Sequence, residues 1–267
     1  MNPTLKRRIC LSIAVVAILL LLLCEVFKPA SLFEDAVGKI VADGIVLTVT
    51  RALGGLAFLA MVINLGYRVL DPFKKPFFKG LLISLPAFVI AINNFPFSGV
   101  ITENARITGQ WWTILLLFVE CLCVGFFEEM AFRGVVFLSL LKRKPKSTGW
   151  AALSVILSSA IFGLVHMINL FESSPGAVFL QIGYSALIGA MCSVVLVKTA
   201  NIWLCVLIHG IYNFAGAVVP RCGEGQIWDT FTVIFTAVVS VPVAAYMIVI
   251  FFTDKGKGLE TVYPDEK

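Results

Sequence analysis

The chain has 267 residues, of which 59% are apolar and only 37, or 14%, carry a formal charge. A soluble domain carries about a quarter charged residues, so at a mean hydropathy of +0.96 there is too little polar surface to cover a water-soluble globule of this size. About 20 apolar residues cross a bilayer as a helix; the composition therefore predicts an all-α, polytopic membrane bundle of about eight helices, one domain over 1–267, and excludes a sizeable soluble domain.

Eight apolar stretches follow one another: 9–27, 45–66, 77–96, 111–141, 148–170, 176–197, 200–219 and 229–252. A basic start before the first stretch resembles a signal peptide, but the run is long and no small-residue cleavage site follows it. The bulky Leu21, Leu22 and Leu23 before Cys24 also make a poor lipoprotein site, so a retained first helix is expected. Between the first two stretches, segment 28–43 carries Leu32, Phe33, Val37, Ile40 and Val41 at near-helical spacing. It reads as either an amphipathic interfacial piece or an ordinary connector. Segment 253–267 reads as a solvated tail.

The net charge of +5 does not point to nucleic acid, because the basic residues form short clusters beside apolar runs rather than one stripe. They act as topology signals. With Lys6, Arg7 and Arg8 inside, eight crossings bring Arg68, Lys74, Lys75, Lys142, Arg143, Lys144, Lys146, Lys198, Lys255 and Lys257 to the same side. The opposite loops hold Lys28, Lys39, Arg106 and Arg221. Both termini are therefore expected in the cytoplasm. The seven cysteines (Cys10, Cys24, Cys121, Cys123, Cys192, Cys205 and Cys222) lie mostly in apolar runs, where a thiol behaves as a small hydrophobe. They form no disulfide framework or zinc spacing, and Cys121 and Cys123 point to nearly opposite sides of a helix.

A charge at the bilayer centre costs on the order of 3 kcal/mol by insertion scales, so intramembrane ionisable residues are functional candidates. The fourth stretch contains Phe126-Phe127-Glu128-Glu129-Met130-Ala131-Phe132-Arg133, with apolar sequence on both sides. The fifth contains Phe162-Gly163-Leu164-Val165-His166 and the seventh His209-Gly210-Ile211-Tyr212-Asn213, and these two histidines are the only ones in the chain. Glu129 and Arg133 are four apart and share a helical face, so they pair. Glu128, about 100° to one side, is left to face a cavity. His209 and Asn213 are also four apart and address one point. A glutamate, two histidines and an asparagine from three helices supply what water activation and oxyanion stabilisation require. The bland alternatives are interhelical hydrogen bonding for a lone histidine and structural glue for a Glu/Arg pair.

In this order, Glu128-Glu129-x-x-x-Arg133, Phe162-x-x-x-His166 and His209-x-x-x-Asn213 resemble the three motifs of the CAAX-protease and bacteriocin-processing (CPBP, or Abi) family of intramembrane endopeptidases. The resemblance covers about 111–219. It implies an eight-helix fold, peptide-bond hydrolysis in a membrane-embedded cavity, and catalytic roles for Glu128, His166, His209 and Asn213. Its implied partner is a membrane-associated protein or peptide, from prenylated CAAX proteins to bacteriocin-type peptides. Glu129, Arg133 and Phe162 fall to support.

Ligand counting bears on the cofactor. A catalytic zinc site takes three protein ligands and an open position. Using His166, His209 and Glu128 leaves no general base, whereas keeping Glu128 as the base leaves two histidines, and no His-Glu-x-x-His helix is present. A metal-free mechanism is favoured, with zinc held by His166, His209 and a glutamate as the other possibility. The rival functions are a proton-coupled transporter, which predicts two related halves that the sequence lacks, and a non-catalytic scaffold or immunity protein. Arg51 is expected to snorkel or pair. Glu120 is expected to support Glu128 or to partner Gln181 or Tyr184. Trp111 and Trp112 are expected at the interface, and Gly163, Gly183, Gly189 and Gly210 at helix contacts.

Overall fold

The computed structural model describes residues 29–253 except 74, 75, 144–146, 172, 226 and 227, together with scattered positions between 5 and 27 and Val262. The expectations for Lys6, Arg7, Cys10, Lys28, Lys74, Lys75, Lys144, Lys146, Lys255, Lys257, most of stretch 9–27 and most of the tail lie outside the described residues.

The seven apolar stretches from 45 onward become helices, most with ends close to those predicted. They are α1 (Lys39–Leu65), α2 (Phe77–Asn93), α3 (Trp111–Glu129), α4 (Thr148–Val165), α5 (Pro175–Thr199), α6 (Ile202–Cys222) and α7 (Thr230–Thr253). Helix α3 does not stop at Glu129. It runs on as a π-helix over Met130–Phe137 and a last α-turn over Leu138–Leu141, and α4 continues as a 3-10 helix over His166–Phe171. Among the described residues five helices, α1, α4 with its extension, α5, α6 and α7, are long and apolar enough to cross a membrane, and α2 is a shorter apolar helix. The protein is an all-α integral membrane bundle.

Local chemistry sets the ends. Ser147, Ser174 and Asn201 cap α4, α5 and α6 by accepting backbone N–H bonds from Trp150, Ala177 and Trp203. Gly66, at φ 77°, closes α1 in the left-handed conformation that a side chain would resist. Segment 28–43 is more ordered than a connector. Pro29–Leu32 and Glu34–Val37 form single helical turns, and α1 begins at Lys39, six residues before the predicted start at 45.

Helix α3 packs between α1 and α6. A Cβ on Gly125 would stand 3.0 Å from both the Gly210 nitrogen and the Val206 carbonyl, so α3 and α6 meet backbone to backbone. Gly163 likewise lets α4 approach the Ile182 carbonyl of α5. The core runs through Val62, Met130, Phe137, Leu138, Leu141, Leu196, Ile202 and Ile208, all fully buried.

Side chains tie the loops at each end of the bundle. At one end Tyr67 donates to the Leu138 carbonyl, Trp150 to Leu140, Trp203 to Leu70 and Asn201 to Pro72. At the other, Ala105–Ile107 (β1) pairs antiparallel with Gly223–Gly225 (β2), placing Arg106 opposite Glu224. This two-stranded ribbon departs from a purely helical chain. The paired residues Arg106 and Glu224 are 118 apart in the chain, and Gly-Glu-Gly has no strand propensity. Gly223 is needed there because a Cβ would sit 2.1 Å from the Arg106 carbonyl.

Candidate active site

Glu128 and Glu129 are consecutive on α3, so they diverge by about 100°. The structure separates them accordingly: the Glu128 side chain is 20% exposed and the Glu129 side chain 0%. Glu128 lines a cavity of about 160 Å³ together with His166, His209 and Asn213. Three helices therefore deliver the four sequence-predicted residues to one space: α3, the end of α4, and α6. Gln181, Tyr184, Ser185 and Ile188 of α5, and Tyr212 of α6, complete most of the wall. The tyrosines and the glutamine carried no motif, and only the fold brings them to the site.

His209 is the hinge of the cluster. Its Nδ1 lies 2.7 Å from Glu129 Oε1 and its Nε2 lies 3.3 Å from Glu128 Oε2. Glu129 Oε1 is also 3.0 Å from Arg133 Nη1. The expected Glu129/Arg133 pair is present, but Glu129 does more than neutralise the arginine, because it also fixes the ring of His209. No sequence signal announced this contact, which spans 80 residues and depends on the close α3–α6 crossing.

Arg133 is 1% exposed and rests over the Phe162 ring, 4.4 Å from its centroid, where the π face complements the guanidinium. Arg133 lies in the π-helical segment, one turn beyond Glu129. Gly189 leaves room for this arrangement, since a Cβ there would stand 2.5 Å from Arg133 Nη2. Phe162 also edges against the rings of His166 and His209 at 5.2 and 5.7 Å. Its carbonyl lies 2.9 Å from His166 Nδ1. In the tautomer with Nδ1–H donating to that carbonyl, His166 Nε2 is the ring nitrogen with a free lone pair.

The remaining singled-out residues sort clearly. Glu120 pairs with Arg221, not with Gln181, Tyr184 or Glu128, and that pair packs against Gly44 of α1. Gln181 instead accepts from Asn169 at 2.8 Å, which ties the segment after His166 to α5. Arg51 lies over the Phe127 ring at 5.3 Å. Gly163, Gly189 and Gly210 make the close contacts expected of them, whereas a Cβ on Gly183 would meet nothing within 4 Å. Cys121 is buried and Cys123 half-buried, consistent with opposite helix sides.

The ring of His209 lies between two carboxylates, Glu129 at Nδ1 and Glu128 at Nε2, an arrangement that also suits a histidine ligating a metal through Nε2. Among the described residues, the group whose ligand atoms come within 4.8 Å of one another is Glu129, Cys192 and Cys205.

Residues 110–215 match the family described as "Type II CAAX prenyl endopeptidase Rce1-like", a span that holds all three motifs. No curated protein and no solved structure gives a significant match to the chain.

Proposed function

From the match of residues 110–215 to the Rce1-like type II CAAX prenyl endopeptidase family, we propose that the chain is an intramembrane endopeptidase. Its substrate is a membrane-associated protein or peptide of the CAAX or bacteriocin-processing kind. The observation that carries this reading is the cavity in which Glu128, His166, His209 and Asn213 converge. On this measure a single water needs on the order of 10–15 Å³, so about 160 Å³ holds more than the nucleophilic water.

Glu128 takes a proton as the water attacks the scissile carbonyl carbon. The free lone pair on His166 Nε2 accepts from the same water and aligns it. The carbonyl oxygen becomes an oxyanion, and stabilising that charge in a site shielded from solvent is the largest task of such a centre. Asn213 supplies an amide donor for it. His209, whose Nδ1 is committed to Glu129, supplies Nε2. Glu128 then returns its proton to the leaving amine as the C–N bond breaks. We further propose eight crossings with both termini in the cytoplasm.

The test uses the full chain in proteoliposomes with a prenylated CAAX peptide labelled for cleavage. Wild type is expected to cleave it. Glu128→Gln should lose at least about a hundredfold in rate, the lower range for a general base, while eluting as the same folded species. Equal cleavage by wild type and Glu128→Gln, or none by wild type on prenylated or unmodified membrane peptides, would turn the reading toward a non-catalytic scaffold.

A further inference from the structure

Glu129 has a second set of neighbours that the hydrolytic reading does not use. Cys192 on α5 and Cys205 on α6 are fully buried, and their sulfurs and a Glu129 carboxylate oxygen lie within 4.8 Å of one another. The Cys205 thiol donates to the Cys192 carbonyl at 3.2 Å, which holds the two helices in register at this level. Although Glu129 is completely buried, its Oε2 has no hydrogen-bond partner, and neither Nη atom of Arg133 makes a well-directed hydrogen bond. Buried carboxylate oxygens are rarely left unsatisfied. Here the orphan belongs to a group flanked by two thiols.

We propose that Glu129, Cys192 and Cys205 form a binding site for a thiophilic divalent cation of the zinc and cadmium class. Two sulfurs and one carboxylate favour such ions over calcium or magnesium, which take oxygen ligands. At zinc–sulfur distances of about 2.3 Å, tetrahedral sulfurs sit about 3.8 Å apart. The sulfurs, which lie within 4.8 Å of each other, therefore need to close by at most about 1 Å. Binding releases two thiol protons. The resulting complex, a divalent ion with two thiolates and one carboxylate, carries a single negative charge, and the Arg133 guanidinium paired with Glu129 at 3.0 Å balances it. The site is separate from the cavity, whose wall does not include Glu129, Cys192 or Cys205. It would nevertheless fasten α3, α5 and α6 together behind His209.

The measurement is bound cadmium per chain, by elemental analysis, together with the ultraviolet thiolate-to-cadmium charge-transfer band. The full chain is expressed in cadmium-supplemented medium, so that the buried site loads during folding, and is purified in detergent. Wild type is expected to retain a single cadmium and show the band. Cys192→Ala and Cys205→Ala should each lose both signals, while Cys121→Ala/Cys222→Ala, which removes the other buried thiols near one another, should keep them. Wild type without the band, or retention of cadmium by Cys192→Ala/Cys205→Ala, would overturn the site. If those variants fail to fold, the wild-type band and its survival in Cys121→Ala/Cys222→Ala still decide. No activity enters the readout, so failure here leaves the endopeptidase proposal standing.

Discussion

At the scale of single residues, the adjacent glutamates divide their work by environment. Glu128 reaches the cavity, whereas Glu129 is enclosed by Arg133 and His209. A neutral amide at 129 leaves the arginine buried without its counter-charge, and breaking a buried pair in this way costs roughly 3 to 5 kcal/mol. It also exchanges the charged acceptor that fixes His209 Nδ1 for a weaker, neutral amide oxygen. Glu129→Gln is therefore expected to lower the yield of folded protein and its melting temperature, and what folds should turn over more slowly. Glu128→Gln should leave the melting temperature near that of wild type. Thermal unfolding in detergent followed by size exclusion compares the two, and a stable Glu129→Gln beside an unfolded Glu128→Gln would reverse the assignment. The motif residues stood out in the sequence because charge in an apolar run is costly, and the charge cluster and both histidines fall in three separate spans. The Glu129–His209 contact, the Glu120–Arg221 pair and the tyrosines of the cavity were not. Each depends on which helices become neighbours, and hydrophobic periodicity does not encode that.

At the scale of elements, the spans were legible because apolar run length nearly determines them, and the predicted ends of α3 through its last turn match. The π-helical turn after Glu129 and the Ala105–Ile107 ribbon carried no periodic signature. Crossing distances were likewise hidden, although glycines marked where they are shortest. Gly125→Ala places a methyl 3.0 Å from two backbone atoms of α6. Neither atom can yield by rotating, so α3 and α6 must part by a few tenths of an ångström. His209 Nε2 and Glu128 Oε2, 3.3 Å apart, ride on those two helices. Because small misplacements of reacting groups cost up to about a hundredfold, Gly125→Ala should lose on the order of tenfold in turnover while remaining folded, as kinetics on the CAAX peptide would show. A second element-level prediction concerns the start of α7, where Asp229 Oδ1 accepts from the Thr232 N–H at 2.6 Å. Thr232, whose hydroxyl lies beside the carboxyl and whose backbone N–H bonds to it, holds Asp229 below its ordinary range, although the hydroxyl itself makes no hydrogen bond of good geometry. A lowered folded value means that the cap stabilises α7 above the ordinary carboxylate range and is lost as pH falls through it. After correction for the intrinsic exchange rate at each pH, protection of the first turn of α7 should fall on acidification in wild type and be low at all pH values in Asp229→Ala. That protection should not depend on pH in Asp229→Asn, which still caps.

At the scale of the whole molecule, the question is which end of the bundle faces the cytoplasm. The described loops divide cleanly: Tyr67, Leu70, Pro72, Leu138, Leu140 and Asn201 are tied together at one end, while β1, β2 and Cys222 meet at the other. Arg68, Lys142, Arg143 and Lys198 belong to the first end, whereas Arg106 and Arg221 belong to the second, where Arg221 is neutralised by Glu120. An excess of basic residues near the ends of spans marks the cytoplasmic side, so the end carrying Arg143 is expected inside. Cys222 is too buried to report on the outer side, but Glu224 beside it and Arg143 at the opposite end are both exposed. In a chain whose native cysteines are replaced, Glu224→Cys should react with an impermeant maleimide on intact cells. Arg143→Cys should react only after the membrane is opened. The inverse pattern would place the basic end outside and invert the topology. Labelling of both positions on intact cells would mean that an odd number of crossings does not separate them, contradicting the alternation of α4, α5 and α6 between the two ends.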